Sequence, residues 1–334
     1  MEIKNKYEIE YLRVFAMILI FACHIVQEHT NVYIQMSAQF LNVGVSIFII
    51  ISGYLYGRKE INEGYINWIS KRAKKILIPM YILMMYLLII NLIKGNSLNI
   101  VNWIAYIFNL QGFEIYVHGA EHLWYLTIIM ICYLITPLLN KYKKIINKNS
   151  IVIGYVLGLS IQVIISYYFS TQIGIYLTYI YLYIVAYYVG YKWNRVTSKI
   201  MMIISLSITA ISCIVRIASK LLFDNTVLYN VLIVGYTQAM IAFCIFLIFN
   251  CIFKNSKENK IIKFLDSISF NIYLVHYMYI VGPIRLMGIT KSFSINVIIT
   301  ITITLVTAYV LKAIVDTLNI IIDKKKSIIK CNNA

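Results

Sequence analysis

The sequence predicts an all-α polytopic integral membrane protein that crosses the bilayer about ten times. Its composition is 61% hydrophobic and 13% charged, with a mean hydropathy of +0.78, whereas water-soluble domains contain roughly a quarter charged residues. Apolar stretches of about twenty residues, the length that spans the hydrocarbon core, recur along the chain. Every second connection between them is rich in Lys and Arg. These observations favour a bundle of helices solvated by lipid.

Ten apolar stretches have the length that a membrane-spanning helix needs. They are roughly 8–27, 40–57, 76–93, 123–139, 151–169, 174–192, 200–220, 229–253, 267–286 and 294–322. The stretch Ile100–Leu110 is apolar but too short to span easily, so we expect it to lie at the interface or to re-enter. Because no long polar insertion interrupts the pattern, we expect one membrane-embedded domain over residues 1–334.

The basic residues are distributed unevenly between the two sets of loops. Alternate segments, starting with the N-terminus, hold 23 of the 30 Lys and Arg residues, and the opposite loops hold three. Because basic loops stay in the cytoplasm, we expect both termini to be cytoplasmic and the chain to be a multi-pass protein of the plasma membrane. Topology thus accounts for the net charge of +17, and we expect lipid contacts but no nucleic-acid partner.

The six cysteines predict neither a disulfide framework nor a metal site. None belongs to a Cys-x-x-Cys pair, and five lie in apolar stretches, where cysteine behaves as a small apolar residue. We therefore expect no metal cofactor.

The first predicted helix carries three ionisable residues, Glu10, Arg13 and His24. Arg13 and His24 are eleven residues apart, so they project from nearly the same helix face, separated by about 16 Å along the axis. Glu10 lies one turn before Arg13 and can pair with the guanidinium. Two interpretations remain open: a snorkelling arginine with a structural histidine, or a functional stripe, which ionisable groups inside a bilayer favour.

A second basic feature lies before the third predicted span. Arg72 and Lys75 are one helical turn apart and could converge on one anion, although positive-inside topology alone also explains such a cluster. In the second predicted span, the small residues of Gly44–Phe48 and Ser52-Gly53 are typical of close helix packing in lipid.

Five segments taken together resemble the membrane acyltransferase type 3 family, in its order and over nearly the whole chain. They are Glu10–Arg13 with His24, Gly44–Phe48 with Ser52-Gly53, Arg72–Pro79, His122–Pro137 and Ser269–His276. Two positions depart from the family pattern. Glu10 replaces the usual Asp and keeps its charge, and Lys75 replaces a frequent Arg, which keeps the charge but loses the planar fork.

The resemblance implies transfer of an acyl group, usually acetyl, from acyl-CoA to a hydroxyl of a cell-surface or lipid-linked glycan. It implies His24 as the catalytic residue and Arg13, Arg72 and Lys75 as the site for the CoA phosphates. Neutral His24 would act as general base on the hydroxyl, and a two-step route through acyl-His24 also remains open. The donor would be acetyl-CoA or another acyl-CoA.

Several other polar residues are weaker candidates. Ser52, Trp124 and Tyr125 are candidate donors to the oxyanion of the tetrahedral intermediate. His276 is as consistent with a structural histidine as with a site role. His118, Glu121 and His122 are of metal-ligand type, but their outer-loop position favours a solvated rim facing the acceptor.

Two other functions compete with acyl transfer. A polytopic exporter of a polysaccharide or lipid-linked sugar would also need about ten helices and a polar cavity, but it has no evident need for a CoA phosphate site. A regulatory membrane module of the same fold, without turnover, is the other alternative.

Overall fold

The computed structural model describes residues 6–96, 99–169, 171–193, 198–223, 226–227 and 229–332. Throughout this part of the chain the regular structure is helical, without any strand, which confirms the all-α prediction. The helices are α1 (Lys6–Gln27), α2 (Val32–Leu41), α3 (Val43–Gly57), α4 (Tyr65–Ile93), α5 (Ile100–Ile107), α6 (Trp124–Tyr142), α7 (Lys148–Tyr168), α8 (Thr171–Lys192), α9 (Lys199–Phe223), α10 (Gly235–Ile252), α11 (Lys260–Ile280) and α12 (Phe293–Asn332). Short helical turns precede α6 (Glu121–Leu123) and α10 (Tyr229–Val234).

Nine helical segments of the described chain are long and apolar enough to cross a membrane. Eight of the predicted spans correspond to single segments of this set, and α2 with α3 together make the ninth. The tenth predicted span, 267–286, corresponds to α11, which is 21 residues long but carries Lys260, Lys263 and Asp266. Because α11 packs between α1 and α12, we count it with the bundle.

Helix α3 lies at the centre of the bundle and is buried along most of its length. It packs against α1, α8 and α10, and glycines set the closest approach. A Cβ added at Gly53 or Gly57 would overlap the carbonyl oxygen of Tyr183 or Tyr187 in α8. Later residues of α3 meet later residues of α8, so these two helices run in the same direction. The small residues of this segment therefore have the packing role that the sequence predicted.

Helices α7, α9 and α12 form the periphery. Long apolar side chains such as Ile161 of α7, Ile214 of α9 and Ile298 of α12 are more than half exposed. Exposed aliphatic side chains on helices of this length are what contact with lipid tails requires.

The structure extends α4 beyond the predicted span. The apolar stretch begins at residue 76, but the helix begins at Tyr65, and its first turns carry the basic residues of the Arg72 region. Trp68 in this extension is buried, and its indole N–H donates to the Tyr133 carbonyl at 3.2 Å. The extension therefore holds Arg72 and Lys75 on a rigid helix and not on a loop. The short stretch predicted not to span forms α5, which has eight residues.

Candidate active site

The site is built on two parallel helices, α1 and α11. At one end of the pair, Nη1 of Arg13 lies 3.0 Å from Oδ2 of Asp266. Eleven residues later in α1 and ten residues later in α11, the rings of His24 and His276 meet with their centroids 5.2 Å apart. The pair thus has a charged end, near the start of each helix, and an imidazole end.

His122 joins the imidazole end from the turn that precedes α6. Its ring centroid lies 4.9 Å from that of His276 and 4.8 Å from that of Tyr277. Three histidines from distant parts of the sequence therefore form one cluster. The sequence analysis placed His122 on a solvated rim, but its side chain is buried.

Tyr273 fixes two of the three imidazoles. Its backbone carbonyl oxygen accepts hydrogen bonds from Nε2 of His122 at 2.9 Å and from Nδ1 of His276 at 2.7 Å. Its phenol donates in return to the His122 carbonyl at 2.5 Å. A carbonyl can only accept, so the protonated nitrogens are Nε2 of His122 and Nδ1 of His276. The other ring nitrogens of both residues are buried without a partner among the described residues.

His24 has a different environment. Its Nδ1 lies 3.2 Å from the side-chain oxygen of Gln27, one turn further along α1. The amide oxygen is an acceptor, so Nδ1 carries the proton and Nε2 carries the lone pair of the neutral ring. The ring also meets the edge of Tyr277 at 4.9 Å. This hydrogen bond sets the tautomer that leaves a basic nitrogen on His24.

A cavity of about 360 Å³ lies beside the cluster and is lined by His24, His122 and Tyr277 together with Trp124, Tyr179 and Gln238. Its volume is within the range of about 300–1,000 Å³ typical of small-molecule sites. The Gln238 side-chain amide donates to the Tyr179 hydroxyl at 3.2 Å and to the Asn42 carbonyl at 2.9 Å. The indole of Trp124 stacks on Tyr176 at 4.9 Å with an interplanar angle of 16°. The cavity is thus polar on several sides and has an aromatic wall.

At the charged end, the described partner of Arg13 differs from Glu10, which the sequence analysis expected. The ion pair described for Arg13 is with Asp266 of α11, which the sequence analysis did not single out. Glu10 is buried, and its charge acts on Lys263 of α11. The sequence did offer one signal for Asp266: this carboxylate lies ten residues before His276 in the same apolar helix.

Arg72 is held by a carboxylate and an aromatic ring. Its Nη1 lies 2.8 Å from Oε1 of Glu63, and its guanidinium carbon lies 3.4 Å from the centroid of the Trp68 ring. Lys71 also pairs with Glu63. Hydrogen bonds from Lys71 and then from Arg72 lower the pKa of Glu63 below its ordinary value. Lys75, one turn further on, is exposed. The geometry fixes Arg72 and leaves Lys75 facing outwards.

The three candidate oxyanion donors lie at different positions relative to the cavity. Trp124 lines the cavity, whereas Ser52 bonds to Tyr133 and is absent from the cavity lining. Tyr125 is buried, and its ring makes a T-shaped contact with that of Tyr273.

Two of the outer-loop residues, His118 and Glu121, form a hydrogen-bonded pair. Glu121 lines the cavity, lies 3.3 Å from His118 and accepts from the Gly119 amide at 2.8 Å. Over the described ranges no three side chains of metal-binding type come together in a suitable arrangement.

The fold and site define a polytopic helical membrane protein with an imidazole cluster and a polar cavity inside its bundle. A family model described as an acyltransferase domain matches residues 6–314. The chain therefore belongs to the acyltransferase 3 family and is a membrane acyltransferase, which confirms the family resemblance. Comparison with curated proteins and with solved structures found no significant match.

Proposed function

We propose that this protein transfers an acyl group from cytoplasmic acyl-CoA, most simply acetyl-CoA, to a hydroxyl of a cell-surface or lipid-linked glycan in the plasma membrane. The observation that carries the proposal is the His24 environment. Gln27 accepts from Nδ1, so Nε2 is the basic nitrogen, and the ring lines a cavity large enough for a sugar residue.

In the proposed reaction, Nε2 of His24 takes the proton of the acceptor hydroxyl as the oxygen attacks the thioester carbonyl. The C–O bond forms, and the carbonyl electrons move to the oxygen as an oxyanion. Collapse of this intermediate breaks the C–S bond. The leaving thiolate then receives the proton from His24, which returns the imidazole to its neutral form. Transfer through acyl-His24 would instead split this sequence into two displacements.

The two ends of α1 suit the two substrates, with the donor at one end and the acceptor at the other. Arg13 and Arg72 belong to the end that the charge distribution predicts to be cytoplasmic, where acyl-CoA is made. His24 is about 16 Å further along the axis, a separation that the extended pantetheine arm of CoA can cover. The acceptor would approach the cavity from the opposite end, where the stacked indole of Trp124 offers a flat surface to a sugar ring.

Mass spectrometry of the surface polysaccharide tests the proposal. Cells that produce the protein should carry a glycan heavier by the mass of one acyl group per modified residue than cells that lack it. Cells that produce His24→Gln at equal membrane abundance should match the cells without the protein. Identical glycans in all three strains would contradict the proposed function.

A prediction for the donor site concerns Lys75 and Arg72. Each change to alanine should raise the apparent KM for acyl-CoA about tenfold or more, because loss of a charge-assisted hydrogen bond typically costs about 1.5–3 kcal/mol. Lys75→Ala is the cleaner variant, since this exposed side chain has no described partner in the protein. The measurement is the initial rate against donor concentration with purified protein in lipid nanodiscs.

Lys71→Ala is the matched control for Arg72→Ala, because Lys71 shares the Glu63 carboxylate. Its KM should change little if phosphate binding, and not the pairing with Glu63, is what matters. An unchanged donor KM in both test variants would remove Arg72 and Lys75 from the donor site.

A further inference from the structure

Arg216 is a buried cation that the proposed chemistry does not use. It lies on α9, seven residues before the helix ends and therefore about 10 Å from that end. Its neighbours on the helix, Ile214 and Ile217, are 64% and 52% exposed, whereas Arg216 is only 3% exposed. The side chain of Arg216 therefore points from the peripheral helix α9 into the bundle.

Three of the other arginines of the described chain pair with carboxylates, and the fourth bonds to a tyrosine hydroxyl. Arg13 pairs with Asp266 and Arg285 pairs with Glu28, Arg72 pairs with Glu63, and Arg58 bonds to the Tyr54 hydroxyl. The side chain of Arg216 bonds to the Tyr229 hydroxyl but makes no ion pair with a described carboxylate, and its Nε and Nη1 atoms are buried without a hydrogen-bond partner.

The surroundings of Arg216 provide little compensation. The guanidinium carbon lies 5.5 Å from the centroid of the Phe40 ring of α2, and the Tyr229 hydroxyl donates to the Arg216 backbone carbonyl at 3.4 Å. A buried charge without a counter-charge destabilises the fold, and polar groups retained inside a bilayer are functional candidates for that reason.

Arg216 does not itself line the cavity beside His24, but it lies near enough to two lining residues, Tyr179 of α8 and Cys23 of α1, to interact with them electrostatically. The Tyr179 hydroxyl already accepts from Gln238, so its proton remains available to an acceptor atom in the cavity. The acidic lining residue Glu121 is hydrogen-bonded to His118 and to the Gly119 amide. The Tyr179 side of the cavity, which lies near Arg216, is therefore the side suited to an anionic group.

We propose that Arg216 provides the counter-charge for an anionic group, a carboxylate or a phosphate, on the acceptor that occupies the cavity. The acceptor would then be an acidic or phosphate-linked sugar and not a neutral one. This inference rests on the proposed function only in assigning the cavity to the acceptor.

The first test is the thermal stability of the purified full chain in nanodiscs. Arg216→Met should melt at or above the wild-type temperature without ligand, because it removes a buried charge that lacks a described counter-charge. Ile217→Met, on the lipid-facing side of the same helix, is the matched control and should melt as the wild type does. A clearly lower melting temperature for Arg216→Met alone would assign Arg216 a structural role and overturn the proposal.

The second test is binding of three probes: methyl glucuronide, glucose 1-phosphate and neutral methyl glucoside. At least one anionic probe should raise the wild-type melting temperature more than the glucoside does, since a ligand bound to the folded state stabilises it. Its half-maximal concentration should rise about tenfold or more in Arg216→Met. The probe that binds better distinguishes a carboxylate from a phosphate.

No advantage of either anionic probe over the glucoside, or the same advantage in Arg216→Met, would overturn the proposal. Both tests measure stability and binding and do not require turnover. Failure of acyl transfer itself would appear separately, as the absence of a mass difference in the surface glycan.

Discussion

Replacing His24 by glutamine is expected to lower the rate of acyl transfer by about 10²–10⁴, the usual contribution of a general base. Glutamine keeps a polar group of similar reach beside Gln27 but provides no nitrogen that can take a proton from a hydroxyl. His24→Ala should be equally inactive. The measurement is the initial rate with labelled acyl-CoA and native acceptor, at matched amounts of folded protein.

His29→Gln is the matched control for this substitution. His29 follows the same helix but is absent from the cavity lining, and its Nδ1 accepts from the Asn31 amide. This variant should retain nearly full activity. If His24→Gln retained most of its activity instead, the general base would have to be sought at His276 or Glu121, and His24 would be structural.

Replacing Gly57 by leucine is expected to lower the stability of the folded protein strongly. A Cβ at this position would overlap the Tyr187 carbonyl of α8, and the backbone of α8 cannot move aside as a flexible side chain could. Overpacking typically costs about 1–3 kcal/mol, and a clash with backbone at the centre of the bundle should reach the upper end of that range. Monodispersity and melting temperature in detergent provide the measurement.

Gly154→Leu is the control, because the space around a Cβ on this lipid-exposed residue of α7 is empty to 4 Å. It should melt at the wild-type temperature or slightly above it, since glycine is a poor helix former. Equal stability of Gly57→Leu and Gly154→Leu would mean that α3 and α8 can separate without cost, contrary to the packing described above.

Hydropathy and charge were sufficient to predict the helical class and the approximate number of spans, because both follow from local composition. Helical periodicity also predicted that Arg13 and His24 share one helix face. In the structure both side chains contact α11. The side on which the termini lie stays a prediction.

The partners of these residues could not be read from local patterns. Asp266 is 253 residues from Arg13 along the chain, and the His122 contact with Tyr273 spans 151 residues. His122 looked like a loop residue because a short polar turn before a helix gives no sign that the turn folds inward. Such contacts are set by which helices pack together, which a single sequence does not encode in its periodicity.

The ion pair between α1 and α11 has a consequence for biogenesis. During synthesis at about 5–20 residues per second, Arg13 precedes Asp266 by 253 residues, so α1 spends on the order of 10–50 s in the membrane before its partner is made. Glu10, one turn away on the same helix, is the local carboxylate that can neutralise Arg13 during this interval. A nascent chain that has not yet reached α11 therefore already contains His24. The side chains of α11 that surround His24 join it only when the last helices are inserted.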